Sequence, residues 1–311
     1  MSRYIIILNP VAGKGKALKQ RPRIESFFQK NECEYEIILT GHPGHAIILA
    51  EKYALLPDTV VIAAGGDGTS NEVINGLMHA AAKIKGRVPV FGVLAIGRGN
   101  DFAYGANIPA ELNEDLLRIM NGRSVTMDVG EIRGGDYPDG RFFGNGVGIG
   151  FDTLVGLAAA RMNFVRGGFA YTLGAIKTLI EYPPAPEIKI SYAGETLFLS
   201  PALVSVMNGK RMGGSFFMAP HAKMNDGLFD ICMTRQGKRR QLLAAMMDYG
   251  KGKQEKRQDT VTGRAEHVVI EALSGKLAVH ADGETICEAG EQLEIINHKH
   301  ALRIIEERPE K

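Results

Sequence analysis

Two domains are predicted from this chain: an α/β domain with a parallel sheet over residues 1–125, then a mainly antiparallel β-sandwich over residues 126–294. Three observations carry that reading. Strand and helix signals alternate regularly through the first part, as in a parallel sheet covered by helices. Beyond residue 125 the texture changes to short alternating segments. Many of those segments are separated by tight-turn pairs such as Asp-Gly. A length of 311 residues suits two domains with separate cores.

The isoleucine-rich run 4–8, closed by Asn9-Pro10 and glycines, is a buried strand ending in a loop. Residues 16–29 have helical spacing, 35–39 form a second strand and 45–55 a second helix. A third strand, 59–64, runs into Gly65-Gly66. Helix 71–83 follows, and then strand 88–95, which runs into Gly97-Arg98-Gly99. After a helix near 112–120 come the short segments 125–132, 142–146, 187–192, 197–206, 228–233, 267–271 and 276–281. Tyr192-Ala-Gly, Asn225-Asp-Gly and Ala281-Asp-Gly read as hairpin turns. Helices interrupt this half at 153–180 and 238–249. The tail, 295–311, is too short to place by pattern, and a return to the first domain is left open.

Composition excludes several classes. A net charge of +2 gives no global nucleic-acid signature. Cys33, Cys232 and Cys287 are odd in number and form no C-x-x-C pair, so neither a zinc site nor a disulfide framework is indicated. The eight histidines form no H-E-x-x-H pattern, and no G-x-S-x-G supports a hydrolase. The opening apolar run is too short for a signal peptide, and no stretch approaches the roughly 18 apolar residues of a membrane span. The expected location is cytoplasmic, with peripheral contact at the inner membrane face. Residues 235–257 support that contact: they hold eight basic residues against two acids, a patch suited to anionic headgroups as well as to plain solvation.

The strongest chemical signal is Gly65-Gly66-Asp67-Gly68-Thr69, set between a strand and a helix. Such glycines let backbone amides crowd a phosphate, and the helix start adds unpaired N–H groups. Thr69-x-x-Glu72 reads as a capping box, and Asp67 is suited to reach Mg²⁺. A second loop, Asn9-Pro10-Val11-Ala12-Gly13-Lys14-Gly15-Lys16, lacks the spacing of a Walker A motif and of a full dinucleotide fingerprint. A third, Gly97-Arg98-Gly99-Asn100-Asp101-Phe102, closes the fourth strand. All three end parallel strands, so they should converge on one crevice.

Together with Gly144-Asn145-Gly146-Val147-Gly148, Asp226-Gly227-Leu228-Phe229-Asp230 and Asp282-Gly283-Glu284, these loops resemble the diacylglycerol kinase catalytic family. The likeness is greatest to the compact bacterial lipid kinases, relatives of sphingosine and ceramide kinases. The motifs come in family order over nearly the whole chain. The resemblance implies an NAD-kinase/diacylglycerol-kinase-like fold and an ATP- and Mg²⁺-dependent phosphotransferase acting on a lipid alcohol such as diacylglycerol. By motif, nucleotide contacts fall on Asn9, Pro10, Val11, Ala12 and Gly13, on Thr40, on Gly66, Asp67, Gly68, Thr69, Ser70, Asn71 and Glu72, and on Arg98. Arg98 departs from the threonine or small residue usual there. Asp226, with the main-chain carbonyls of Lys223 and Leu228, matches a structural Mg²⁺ site. Glu284 matches the general base, with Asp67 the metal-linked catalytic carboxylate and Asp101 and Asp128 as supporting carboxylates. A homodimer is left open.

The rival enzyme is an NAD kinase, which shares Gly-Gly-Asp-Gly-Thr and a β domain. The rival of another class is a nucleotide-binding regulator without catalysis. Gly-Asn-Asp-Phe and the basic 235–257 region weigh against the first, and the joint presence of Asp67 and Glu284 against the second.

Overall fold

The computed structural model describes residues 3–161 and 168–308. Its first lobe runs β1 (Arg3–Leu8), α1 (Ala12–Lys30), β2 (Tyr35–Leu39), α2 (His45–Ala54), β3 (Thr59–Gly65), α3 (Asp67–Ala81), β4 (Val90–Ala95), α4 (Asp101–Gly105) and α5 (Leu112–Asn121). The strands are parallel in the order β2-β1-β3-β4. The unbroken apolar run of β1 follows from its position. Ile5 and Ile7 enter the core shared with α2 and α3, whereas Ile6 and Leu8 enter the core shared with α1 and α5. A strand buried on both faces has no polar side to alternate with.

The second lobe adds β5 (Arg123–Gly134), β6 (Tyr137–Phe143), β7 (Gly146–Gly150), α6 (Phe151–Ala160), α7 (Gly168–Glu181), β8 (Glu187–Tyr192), β9 (Glu195–Leu199), β10 (Pro201–Met207), β11 (Phe229–Arg235), α8 (Arg239–Tyr249), β12 (Thr260–Ala265), β13 (His267–Ser274), β14 (Leu277–Ala281), β15 (Glu284–Gly290) and β16 (Gln292–Glu306). One layer is the six-stranded sheet β12-β11-β10-β7-β14-β15. The other, β16-β13-β8-β9, continues the sheet of the first lobe. Their facing side chains, among them Ile190, Ile270, Val206 and Val279, form one buried cluster. This is the expected sandwich.

Several local expectations change. Segment 197–206 is two strands, β9 and β10, parted at Ser200. Tyr192-Ala-Gly and Ala281-Asp-Gly do form two-residue hairpins, pairing Tyr192 with Glu195 and Ala281 with Glu284. Asn225-Asp226-Gly227 does not. No strand ends just before it, because β11 pairs with β10 and β12 instead, and the turn merely leads into β11. Of the helical interruption read over 153–180, residues 162–167 lie outside the described residues. No helix among the described residues is long and apolar enough to cross a membrane.

The tail returns to the first lobe. The fifteen-residue strand β16 pairs antiparallel with β5 and then runs parallel to β4 at Arg303 and Ile304. A buried ion pair secures this junction: Arg118 Nη2 meets Asp115 Oδ1 at 2.5 Å and donates to Val93 O at 2.6 Å. Arg118 also donates to Ile305 O, and Asp115 Oδ2 accepts Ala95 N–H at 3.1 Å. Asp115→Ala would leave the guanidinium buried without its counter-charge, so a loss of about 3–5 kcal/mol is expected. Urea unfolding checks this; an unchanged midpoint would contradict it.

Candidate active site

The three glycine-rich loops meet at the carboxyl ends of β1, β3 and β4. Gly13 has φ +58°, and a Cβ there would lie 2.6 Å from Ile96 O, so the first loop is pressed against the end of β4. A Cβ on Gly66 would come 3.1 Å from the Cα of Gly97, which brings the second and third loops together. Asn9 ties the first to the second: its Nδ2 donates to Thr69 Oγ1 at 3.1 Å and its Oδ1 accepts Val11 N–H at 3.1 Å. Val11 stands 75 % exposed at the loop tip. Thr40, half-buried, leaves β2 beside these loops, its N–H on Leu8 O at 3.0 Å.

The capping box is corrected. Helix α3 begins at Asp67 with Gly66 as its N-cap, so Thr69 lies inside the helix. Glu72 instead caps a neighbour, its two carboxylate oxygens accepting Gly44 N–H at 2.8 Å and Ala46 N–H at 3.1 Å at the start of α2. Ser70 and Asn71 are buried. Asn71 Nδ2 donates to Phe142 O at 3.1 Å and to Asp282 Oδ2 at 3.0 Å, and its Oδ1 accepts from Arg141 at 2.9 Å. Asn71 thereby binds the two lobes together, and with Asn71 and Glu72 so engaged, this stretch would offer a ligand main-chain N–H at the start of α3.

Asp67 sits where the lobes face each other. Its Oδ1 accepts Phe102 N–H at 3.0 Å. A Cβ on Gly99 would lie 3.0 Å from Asp67 Oδ2 and 3.7 Å from Asp101 Oδ2, so two carboxylates converge on that glycine. Burial pushes the Asp67 carboxyl up to about 6, the Phe102 N–H opposing and the charges of Asp101 and Asp282 adding to the rise. Such crowded negative charge favours a cation. Among the described residues no three carboxylate, thiol or imidazole groups converge as a cage. Nucleotide phosphates would complete the sphere of a Mg²⁺ held here, as is usual for that ion.

Glu284 opens β15 directly after the Asp282-Gly283 turn and is exposed. A Cβ on Gly68 would lie 3.5 Å from Glu284 Oε1, so this carboxylate reaches the Gly65–Thr69 loop across the lobes. Asp282, which the hairpin pattern alone makes an ordinary turn carboxylate, is the organiser of that meeting. It accepts the N–H groups of Gly144 at 2.7 Å, Asn145 at 2.9 Å and Gly146 at 3.0 Å. The Gly-Asn-Gly and Asp-Gly-Glu segments are thus two halves of one hydrogen-bonded unit. Arg211 was also invisible in the sequence. Its Nε meets Asp101 Oδ1 at 2.9 Å, its Nη2 donates to Gly99 O at 2.9 Å, and its guanidinium lies 4.0 Å over the Tyr104 ring.

Asp128 is fully buried away from this cleft, accepting Gly227 N–H at 2.6 Å and His300 N–H at 2.7 Å. It fixes the Asp226 turn. There, Asp226 Oδ1 accepts Leu228 N–H at 3.1 Å while Oδ2 pairs with Arg264. Asp230 Oδ2 nearby is buried without a hydrogen-bond partner. Asp226 with the Lys223 and Leu228 carbonyls is an oxygen-only set that fits Mg²⁺ by donor type. The ion would share Asp226 with Arg264.

Between the lobes opens a cavity of about 730 Å³. Asp67, Gly99, Asp101 and Asp282 stand on its wall at the glycine-rich loops and the Asp282 turn, while Phe151, Leu203, Phe216, Leu242 and Met246 line its apolar reach into the second lobe.

Comparison with known proteins decides the family. Residues 3–132 match the diacylglycerol kinase catalytic domain, and residues 145–306 match the YegS C-terminal NAD kinase beta sandwich-like domain. The diacylglycerol kinase of Bacillus subtilis is 30% identical over 289 residues, spanning 91% of this chain and 90% of that protein. The chain belongs to the bacterial diacylglycerol and lipid kinase family. A Yersinia pestis protein named "Probable lipid kinase YegS-like" is 29% identical over 86% of each chain. The fold of a diacylglycerol kinase crystal structure from Bacillus anthracis superposes with a TM-score of 0.70 at 21% identity, covering 99% of this chain and 97% of that one.

In this lipid kinase Arg98 stands exposed between Gly97 and Gly99 at the cleft rim. Arg98→Thr is expected to keep kcat and change mainly the apparent affinity for ATP, because a small or threonine side chain is usual at this position. An inactive but folded Arg98→Thr protein in a steady-state assay would assign the arginine a catalytic duty.

Proposed function

We propose that this enzyme transfers the γ-phosphoryl group of ATP, with Mg²⁺, to the hydroxyl of a lipid alcohol such as diacylglycerol. The observation that carries the reading is the cavity of about 730 Å³, within the range of small-molecule sites: Asp67 stands on its wall, and Phe151, Leu203, Phe216, Leu242 and Met246 give it an apolar reach. A hydrocarbon chain gains by entering such a lining, and its hydroxyl would then point at the phosphate loops. A polar dinucleotide acceptor would gain nothing from it.

Main-chain N–H groups of the Asn9–Gly13 and Gly66–Gly68 loops would hold the phosphates. Mg²⁺ bound with the nucleotide would neutralise charge on the transferring group. Glu284 is the proposed general base, and Asp67 the carboxylate that keeps the phosphate end of the cleft anionic for the metal. One observation favours a second division of labour. Asp67 holds its proton up to about pH 6 and is itself on the cavity wall, so it too is poised to accept the hydroxyl proton.

The test is ATP turnover alone, with micelles of a panel of lipid alcohols, and with NAD. Lipid-dependent ADP release with a phosphorylated lipid product is expected. Turnover on NAD without turnover on any lipid would overturn the reading.

A further inference from the structure

We propose that α7 and α8 form a docking face for an anionic phospholipid bilayer, seated over the apolar cavity; this rests on the reading of the cavity as a lipid site. The two helices are one surface: Arg239 Nη2 donates to Ile180 O at 2.5 Å, and Tyr182 OH donates to Gly237 O at 2.9 Å. Helix α8 carries two stripes with the same i, i+3, i+7 spacing. Leu242, Ala245 and Tyr249 are buried and line the cavity. Arg240, Leu243 and Met247 face outward, with Leu243 45% and Met247 62% exposed. On α7, Ile176 and Ile180 add 49% and 64% exposure. A lone exposed apolar residue needs no partner, but here two helices joined end to end by hydrogen bonds each expose a pair of large apolar side chains at i, i+4 spacing.

Charge selects the partner. Lys238, Arg239 and Arg240 crowd the amino end of α8, whose first turn has no acid. Cations there oppose the helix dipole, so helix stability alone does not favour them, and an anionic surface would relieve the repulsion. Lys251 and Lys253, beyond the far end of α8, are exposed as well. Arg257 leaves the cluster read from the sequence, being paired with Asp248 at 2.8 Å and Asp259 at 2.7 Å. The remaining cations beside an exposed apolar stripe suit a surface with anionic headgroups over hydrocarbon. One wall of the cavity is then the inner stripe of the helix that touches the bilayer, which shortens the path from bilayer to site.

The experiment compares the full chain with Lys238→Glu/Arg240→Glu and with Leu243→Asn/Met247→Gln, none of them cavity residues. Binding is measured by sedimentation with phosphatidylcholine vesicles, with and without phosphatidylglycerol, at low and high salt. Thermal unfolding and turnover of a short-chain soluble alcohol are recorded in parallel. Each basic residue contributes about fivefold at an anionic surface, so the charge variant should bind at least about tenfold more weakly at low salt and lose most of its salt dependence. The apolar variant should bind severalfold more weakly while keeping its salt dependence. Both should unfold and turn over the soluble alcohol like the wild type. Wild-type binding to anionic vesicles by either variant overturns the proposal, as does a wild-type protein that ignores them. Docking without phosphorylation of any lipid alcohol would instead overturn the proposed function and leave the docking face standing.

Discussion

Asp67→Asn is expected to abolish phosphoryl transfer while the fold stays intact. The carboxylate sits at the start of α3, on the cavity wall, held by the Phe102 N–H and facing Asp101 across Gly99. Removing its charge should cost on the order of several kcal/mol of transition-state stabilisation. Retention of more than about a tenth of the wild-type rate, ~1.4 kcal/mol, would contradict the role. The same substitution has a second readout in metal-free protein. Asp67 binds its proton at about 6 in the folded chain against 3.8 for an ordinary aspartate. The folded state therefore holds that proton more tightly, and its contribution to stability is present at low pH and lost as pH rises through about 6. Above that pH the asparagine variant should be the more stable of the two, and below about 4 the advantage should vanish. Parallel urea titrations in chelator across this range would expose an error if the difference between the proteins did not move with pH.

Glu284→Gln is expected to lower kcat by 10²–10⁴-fold with lipid alcohol and to leave ATP binding nearly unchanged. The side chain reaches Gly68 from the opposite lobe, at the tip of a hairpin whose turn aspartate is bound to Gly144, Asn145, Gly146 and Asn71. The amide keeps the shape and hydrogen-bonding reach but cannot take the hydroxyl proton. The proposed nucleotide contacts lie in the first lobe, so a binding titration with ATP should be indifferent to the change. Near-normal kcat would remove Glu284 as the base. In that event the proton falls to Asp67, and the acid limb of kcat/KM for the glutamine enzyme should persist near the pH at which Asp67 titrates.

Much of this was legible in the residues. A run such as Ile5–Leu8 specifies a doubly buried strand, because no polar face is available to it. Ala281-Asp-Gly-Glu fixes a two-residue hairpin because Asp282 and Gly283 tolerate positive φ, here 49° and 85°. The loops at Asn9, Gly65 and Gly97 are readable for a related reason: each follows a parallel strand, so each must end on the same edge of the sheet.

Tertiary structure decided the rest, and the deciding contacts are long-range. Thr69 and Glu72 match a capping box in sequence, yet α3 starts at Asp67 with Gly66 as its N-cap, so Thr69 lies inside the helix and accepts from Asn9 while Glu72 caps the start of α2. Asn225-Asp-Gly has the composition of a hairpin, but no strand ends before it to be folded back. Asn71 meets Asp282 across 211 residues, and no local pattern encodes that pairing. The cavity belongs to the same class. Phe151, Leu203 and Leu242 are ordinary core residues in their own elements, and only the packing of α6, β10 and α8 gives the cavity that has Asp67 on its wall an apolar reach. Sequence by itself determined the two folds and the edge on which the polar loops gather, because period, turn chemistry and strand burial are local properties. Which carboxylates meet there, and what kind of molecule can lie between them, was decided by side chains brought together from distant parts of the chain, where burial and mutual charge rather than propensity set the outcome.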